Sequence, residues 1–310
     1  MAIEEIASKC LYENVLLAFC RTRLNVLPEG PVSNAPDSRS DRADILLLTG
    51  LNEELQWIQT VSGFTFERQV RQGTSYLLAN VHRGERSVKI VTLRQLEKGL
   101  TTAAITATKA LCIWKPNVVV MTGICAGVRG SVGLGDLVVA TQCFEHASGQ
   151  LRDGNLVPLQ NRVAIQPWLL DFLTSLTDHP AMLQQIQSGF TQDLPAGFTT
   201  KIHYGSMACG SQVIKDQAYI EQLKSREQSL VALDMESYGV ALSASMCSTN
   251  SHSIIPLIVK GVCDFADTEK SDLWHDYCSY ASASFVLALL EQIFSRERAY
   301  ARLRGLIDDR

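Results

Sequence analysis

The 310-residue chain carries 28 basic and 32 acidic side chains, a net charge of −4, and is 46% hydrophobic. That length supplies a sizeable core, and the near balance of charge leaves no basic face for nucleic acid or an anionic membrane. Small molecules, recognised locally, are the partners that remain.

Nine cysteines are scattered along the chain without a CxxC pair. An odd, dispersed set excludes a disulfide framework or a clustered metal site and reads as small core residues in a reducing compartment. The six histidines are equally dispersed, so neither a metal nor another cofactor is expected. The N-terminus, MAIEEIASK, is acidic where a secretory leader is basic, and no apolar run reaches the length of a membrane span. The expected location is cytoplasmic.

Residues 3–24 read as a helix, with Ile3, Ile6, Ala7, Cys10, Leu11, Val15 and Ala18 along one stripe. Residues 25–43, rich in Pro, Gly, Ser and Asn, read as a linker. The expected organisation is therefore a helix over 1–24, a linker over 25–43 and one catalytic domain over 44–310. The helix is either an element that docks a partner or a flap on the main domain. From residue 44 the pattern changes. Strand-like runs fall at 44–49, 76–81, 87–93, 117–122, 136–140 and 254–262, and helical runs near 52–61, 100–114, 167–177, 215–227, 236–247 and 274–304. Several strands are continuously apolar, as when helices cover both faces of a sheet. The alternation predicts an α/β protein, a three-layer αβα domain. Residues 179–201 are turn-rich and read as a flexible loop over a site.

Four stretches stand out as chemistry. Thr49-Gly50-Leu51-Asn52-Glu53-Glu54 follows the first strand, and alone is ordinary helix-start chemistry. Val118 to Gly127, VVVMTGICAG, ends a buried strand in glycines and small residues that let backbone approach a ligand. It is neither a Walker loop nor GxGxxG. Leu233-Asp234-Met235-Glu236-Ser237 sets a carboxylate beside apolar residues; such a group offers two acceptor oxygens to vicinal hydroxyls. Lys260-Gly261-Val262-Cys263-Asp264-Phe265-Ala266-Asp267 places an acid at the carboxyl end of the strongest late strand, where α/β proteins bind ligands.

In that order the four resemble the nucleoside phosphorylase and nucleosidase superfamily, closest to the methylthioadenosine/S-adenosylhomocysteine nucleosidases. KPNVVVMTGICAGV, GDLVVA, LDMES and VCDFAD carry the resemblance, which spans about 44–295. The later segment CDFADTEKSDLWHDYCSYASASF is similar to nucleosidase-like effector modules of bacterial defence proteins and fungal immune receptors.

The resemblance implies a nucleoside phosphorylase-like fold with a central mixed sheet, and cleavage of the N-glycosidic bond of a purine, adenine-type ribonucleoside or nucleotide through an oxocarbenium-like transition state. By the same resemblance Asp264 gives or shares a proton with the leaving base, and Glu54 orients and deprotonates the attacking water. Glu236 takes the ribose hydroxyls and Met235 packs under the sugar. Val213 and Ile214 contact the base; Val213 stands where the family often has Phe, which removes a stacking ring. Trp274 falls where the family lines the 5′ pocket with an aromatic. Gly123 and Ala126 bring backbone N–H groups to the nucleophile site, and Met121 stands where phosphate-using relatives tend to place an Arg. A methionine cannot hold a phosphate dianion, so water is the expected nucleophile. Thr101, Thr102 and Arg94 remain as an alternative anion site.

Two substrate types stay open: a nucleoside with an apolar 5′ group, such as methylthioadenosine, and a nucleotide such as ATP. For the second, Arg94, Lys98, Arg129, Lys270 and His275 are the candidate phosphate contacts. The competing functions are a phosphate-dependent phosphorylase and a non-catalytic nucleoside-binding scaffold. The resemblance also implies a homo-oligomer.

Overall fold

The computed structural model describes residues 42–301, apart from 84, 153–154, 159–160, 176–178, 267–271, 298 and 300. The helix expected over 1–24 and the linker expected over 25–43 lie outside them up to residue 41. At the linker's expected end Ala43 is buried in the core, its N–H on the Trp114 carbonyl at 2.8 Å, so the domain begins slightly earlier than expected.

Strand β1 (Ile45–Thr49) is buried along its whole length. Its residues alternate between two cores: Ile45 and Leu47 face one and Leu46 and Leu48 the other. Side chains of a strand point to opposite faces, so a continuously apolar strand has a helical layer on each side. The chain continues through α1 (Asn52–Ser62), β2 (Glu67–Arg71), β3 (Thr74–Arg83), β4 (Arg86–Arg94), α2 (Leu100–Trp114), β5 (Val118–Gly127) and β6 (Leu137–Glu145). A small hairpin, β7 (Gly149–Arg152) and β8 (Asn155–Pro158), and a short strand β9 (Arg162–Ala164) follow. Then come α3 (Pro167–Thr174), α4 (His179–Ser188), β10 (Ile202–Cys209), α5 (Gln217–Arg226), β11 (Leu230–Asp234), α6 (Ser237–Cys247), β12 (Ile255–Asp264) and α7 (Asp272–Ser295).

The main sheet runs β11-β10-β6-β12-β5-β1-β4-β3-β2, with β9 on β6. It is mixed: β4, β1, β5 and β12 are mutually parallel, β6 is antiparallel to β12, and β10 and β11 are parallel to β6. The far end of β5 also pairs with β11, which closes β5, β12, β6, β10 and β11 into a ring. Gly127 makes the closure. A Cβ there would stand 2.5 Å from Val132 and 2.6 Å from Val262 side-chain atoms. Helices α3, α4 and α7 bury one face of the sheet together with Ile58 of α1. Helices α2 and α6 bury the other. Because β1, β4, β5 and β12 are parallel, their carboxyl ends share one edge, where α/β sheets hold ligands.

The stretch 179–201 is not all loop: its first half is α4. Met182, Leu183 and Ile186 are buried there, a helical spacing partly hidden among glutamines. Strands β10 and β11 were not expected from the sequence. The first, IHYGSMAC, carries glycine, histidine and small residues, and its place is fixed by the strands on either side.

Candidate functional site

Glu54 is the third residue of α1 and is 2% exposed. At that position its side chain turns back on the helix start, where Oε2 accepts the N–H groups of Gly50 at 2.7 Å and Leu51 at 2.8 Å. Ordinary capping stops there. Here Oε1 also accepts the Ile124 N–H at 2.9 Å, across from the end of β5. Gly123 makes room for this. Its φ of +144° suits glycine, and a Cβ would stand 2.1 Å from Glu54 Oε1. The small residues ending β5 thus seat a carboxylate.

Glu236 immediately precedes α6 and is 8% exposed. Its Oε1 accepts the Gly99 N–H at 2.9 Å. A Cβ placed on Gly50 would lie 3.5 Å from Glu54 Oε2 and 3.9 Å from Glu236 Oε2, so the two carboxylates flank one glycine. Burial pushes the Glu236 carboxyl above its usual range, and the Asp234 charge adds to this; Lys260 and the Gly99 N–H act the other way.

Lys260 is buried in the middle of an apolar strand. Its Nζ lies 3.5 Å from Asp234 Oδ2. Burial alone would pull the ammonium down, but Asp234, Glu54 and Glu236 together outweigh it and hold Lys260 above its ordinary value. Asp234 also accepts the N–H groups of Glu236 and Ser237 and the Ser237 hydroxyl, which fixes the turn that carries Glu236. Asp264, the last residue of β12, is half-buried. Its Oδ1 accepts the Ala266 N–H at 2.8 Å, and the Cys263 thiol lies 3.6 Å from Oδ2.

One cleft gathers Glu54, Glu236, Asp264, Met235, Val213, Ile214, Ala126, Lys98 and His275. Val213 is 68% exposed, an open flank in place of a stacking ring. Gly123 stands behind Glu54 rather than in the lining. Other expected contacts are absent from the lining. Trp274 packs edge-on against Phe198, their ring centres 4.9 Å apart, and the next residue on α7, His275, faces the cleft instead. Thr101 is exposed on the first turn of α2, and Arg94 is half-buried at the end of β4. Arg129 lies over the Phe265 ring at 4.4 Å. Lys270 is outside the described residues. Met121 is fully buried in the core under α2 and α6, with the Ser237 hydroxyl on its sulfur, so that position offers no cation to the cleft.

Sequence reasoning missed Lys260, Asp234, Gln212 and Lys215 as parts of the site; Asp234, Gln212 and Lys215 line the cleft. Lys260 had a signal, a lone charge inside IIPLIVKGV. Among the described residues no group of three His, Cys, Asp or Glu side chains is placed to hold a metal ion, and no helix is long and apolar enough to cross a membrane.

The family model of the phosphorylase superfamily matches residues 44–294. The uncharacterised protein y4jS of Sinorhizobium fredii is 28% identical over 79% of this chain and 60% of its own length. The ATP nucleosidase Cap17 of Escherichia coli is 26% identical over 77% of this chain and 49% of its own. The chain thus spans about half to three-fifths of these relatives. In structure, the 5′-methylthioadenosine/S-adenosylhomocysteine nucleosidase of Helicobacter pylori superimposes with a TM-score of 0.60, at 19% identity, over 80% of this chain and 97% of its own.

Proposed function

From a chain that belongs to the phosphorylase superfamily, we propose hydrolysis of the N-glycosidic bond of a purine ribonucleoside or nucleotide. One observation carries the reading: Glu54, Glu236 and Asp264, distant in sequence, converge on a single cleft over one buried lysine. A bond that breaks through a cationic sugar needs an acid at the leaving base, a base for water, and acceptors on the sugar hydroxyls. Asp264, on the rim at the end of β12, delivers a proton to the purine ring as the C1′–N bond pair moves into it. A carboxylate has about four acceptor positions. Three of Glu54's are occupied by N–H groups, and the remaining one takes the proton of the attacking water. Glu236 has Oε2 left for the ribose hydroxyls.

Water, not phosphate, is the nucleophile of this proposal. Lys260 is already surrounded by three carboxylates, and a phosphate dianion beside them would meet like charge. A nucleotide is the favoured substrate because Lys98, Lys215 and His275 line the same cleft and cations recognise phosphates. The name of Cap17 agrees with this. A nucleoside with an apolar 5′ group is the second reading, supported by Leu233, Ile214 and Met235 in the lining. Self-association belongs to the proposal and is read by sedimentation.

The test is incubation with ATP, adenosine, methylthioadenosine, S-adenosylhomocysteine, inosine and uridine, with and without phosphate, followed by chromatography of the free base. Adenine release without phosphate is expected, fastest from ATP. Strict dependence on phosphate overturns the hydrolytic reading, and faster release from methylthioadenosine overturns the nucleotide one.

A further inference from the structure

Helices α2 and α6 lie side by side on one face of the sheet and leave the cleft edge in the same direction. Their contact is a ladder in steps of four. Gly239 backs onto the first turn of α2, so that a Cβ there would stand 2.6 Å from the Leu100 carbonyl oxygen and 3.1 Å from the Ala104 nitrogen. One turn further on, the Ser243 hydroxyl donates to the Ala104 carbonyl at 3.0 Å and accepts from Thr108 Oγ1 at 3.1 Å. Four residues beyond Thr108 and Ser243 stand Cys112 and Cys247. Burial, and after it the neighbouring Cys112 thiol, push the Cys247 thiol up. Cys112 is exposed and Cys247 half-buried, whereas the other five described cysteines are buried.

We propose that Cys112 and Cys247 form a redox modification site, closing a disulfide between the last turns of α2 and α6 when a hydroperoxide reaches the exposed thiol. Disulfides need Cα atoms roughly 4.4–6.8 Å apart, and helices packed through Gly, Ala and Ser approach one another closely enough. The Cys112 thiolate attacks the peroxide; the O–O bond breaks, an S–O bond forms, and the peroxide leaves as water or an alcohol. The Cys247 thiolate then attacks the Cys112 sulfur, forming S–S and expelling hydroxide, which leaves as water. Two electrons pass from the thiol pair to one peroxide. Because Cys247 holds its proton tightly, the second step accelerates with rising pH.

The bond would act on the proposed site from a distance. Helix α2 begins at Leu100, beside the Gly99 N–H that holds Glu236, and α6 begins immediately after Glu236. A link at their far ends ties together the two elements whose near ends fix that carboxylate.

The test is chemical and independent of turnover. The folded full-length chain is exposed to hydrogen peroxide, its free thiols are alkylated, and it is digested without reduction for mass spectrometry. The expected product is a Cys112–Cys247 linked peptide, absent after dithiothreitol and absent in Cys112→Ser. Recovery of the two cysteines unlinked, or a link that forms only in denatured protein, overturns the proposal. The closed loop is long, so the oxidised protein is expected to melt about 5 °C or more above the reduced one. A lower Tm, the mark of a bond made by distorting the helices, overturns the claim that the pair is pre-set.

Discussion

Gly123→Ala tests how the cleft seats its buried acid. The new Cβ would stand 2.1 Å from Glu54 Oε1 and 2.3 Å from Cδ, so Oε1 must retreat about 1.3 Å to reach ordinary contact at 3.4 Å. Its hydrogen bond to Ile124, now 2.9 Å, does not survive such a move, and those to Gly50 and Leu51 are pulled out of line. Misplacement of a reacting group by about 1 Å costs about 100-fold, or about 2.7 kcal/mol of transition-state stabilisation. We expect kcat/KM for base release to fall at least that far, with KM changing less than kcat. Strain at a positive φ is a separate cost of about 1–2 kcal/mol in an L-residue, and Gly130→Ala isolates it. Gly130 has φ +79° with nothing within 4 Å of a Cβ. That control is expected to lose a few degrees of Tm and to keep its activity. The assay is steady-state chromatography of the free base beside thermal melts of both variants. Wild-type kcat/KM in folded Gly123→Ala, or an equal loss in Gly130→Ala, would refute the reasoning.

Asp264→Asn is expected to lower kcat about 100-fold or more, the usual worth of a general acid, while Tm stays near wild type; an unchanged kcat removes Asp264 from the proton transfer. Glu236→Gln is expected to impair turnover of ribosides yet stabilise the fold at neutral pH. The Glu236 carboxyl is raised above its ordinary 4.5, so its contribution to stability is present below about pH 4.5 and lost as pH rises through the folded value. Glutamine mimics the protonated form throughout. The Tm gain should therefore appear above pH 4.5 and vanish below it; a lower Tm at neutral pH contradicts the assignment. Lys260→Met leaves buried carboxylates without their cation and is expected to cost about 3–5 kcal/mol in denaturant unfolding. Lys260 is raised above 10.5. Its stabilisation is therefore complete below about pH 10.5 and fades above it, a fade that the variant lacks.

The central sheet was legible because β1 and the first half of β5 are buried on both faces and read as unbroken apolar runs, and β12 as one broken only by Lys260. The short strands β2, β7, β8 and β9 lack such a run and lie at the margins. In the cleft, Glu54, Glu236 and Asp264 were visible because each lies at or just past the carboxyl end of a strand. Trp274 was misplaced by one residue. On a helix that step turns a side chain by about 100°, enough to exchange cleft-facing His275 for a tryptophan packed on Phe198. Arg94 and Arg129 failed for a different reason: proximity in sequence to a motif says nothing about direction. Arg129 turns onto Phe265.

The missed lysine explains the charge at the buried side of the cleft. Three carboxylates, Glu54, Glu236 and Asp234, surround Lys260, the buried cation among them. The excess of carboxylate is uncomfortable at rest, which is why the Glu236 carboxyl is held above its usual range by burial and by Asp234. Lys260 makes the arrangement tolerable without cancelling it. A ribosyl group losing its base gains positive charge at C1′, so the field that costs stability in the empty protein stabilises the transition state when that cation forms. The same reasoning requires Glu236→Gln to gain stability and lose turnover together, since both follow from removing one buried negative charge.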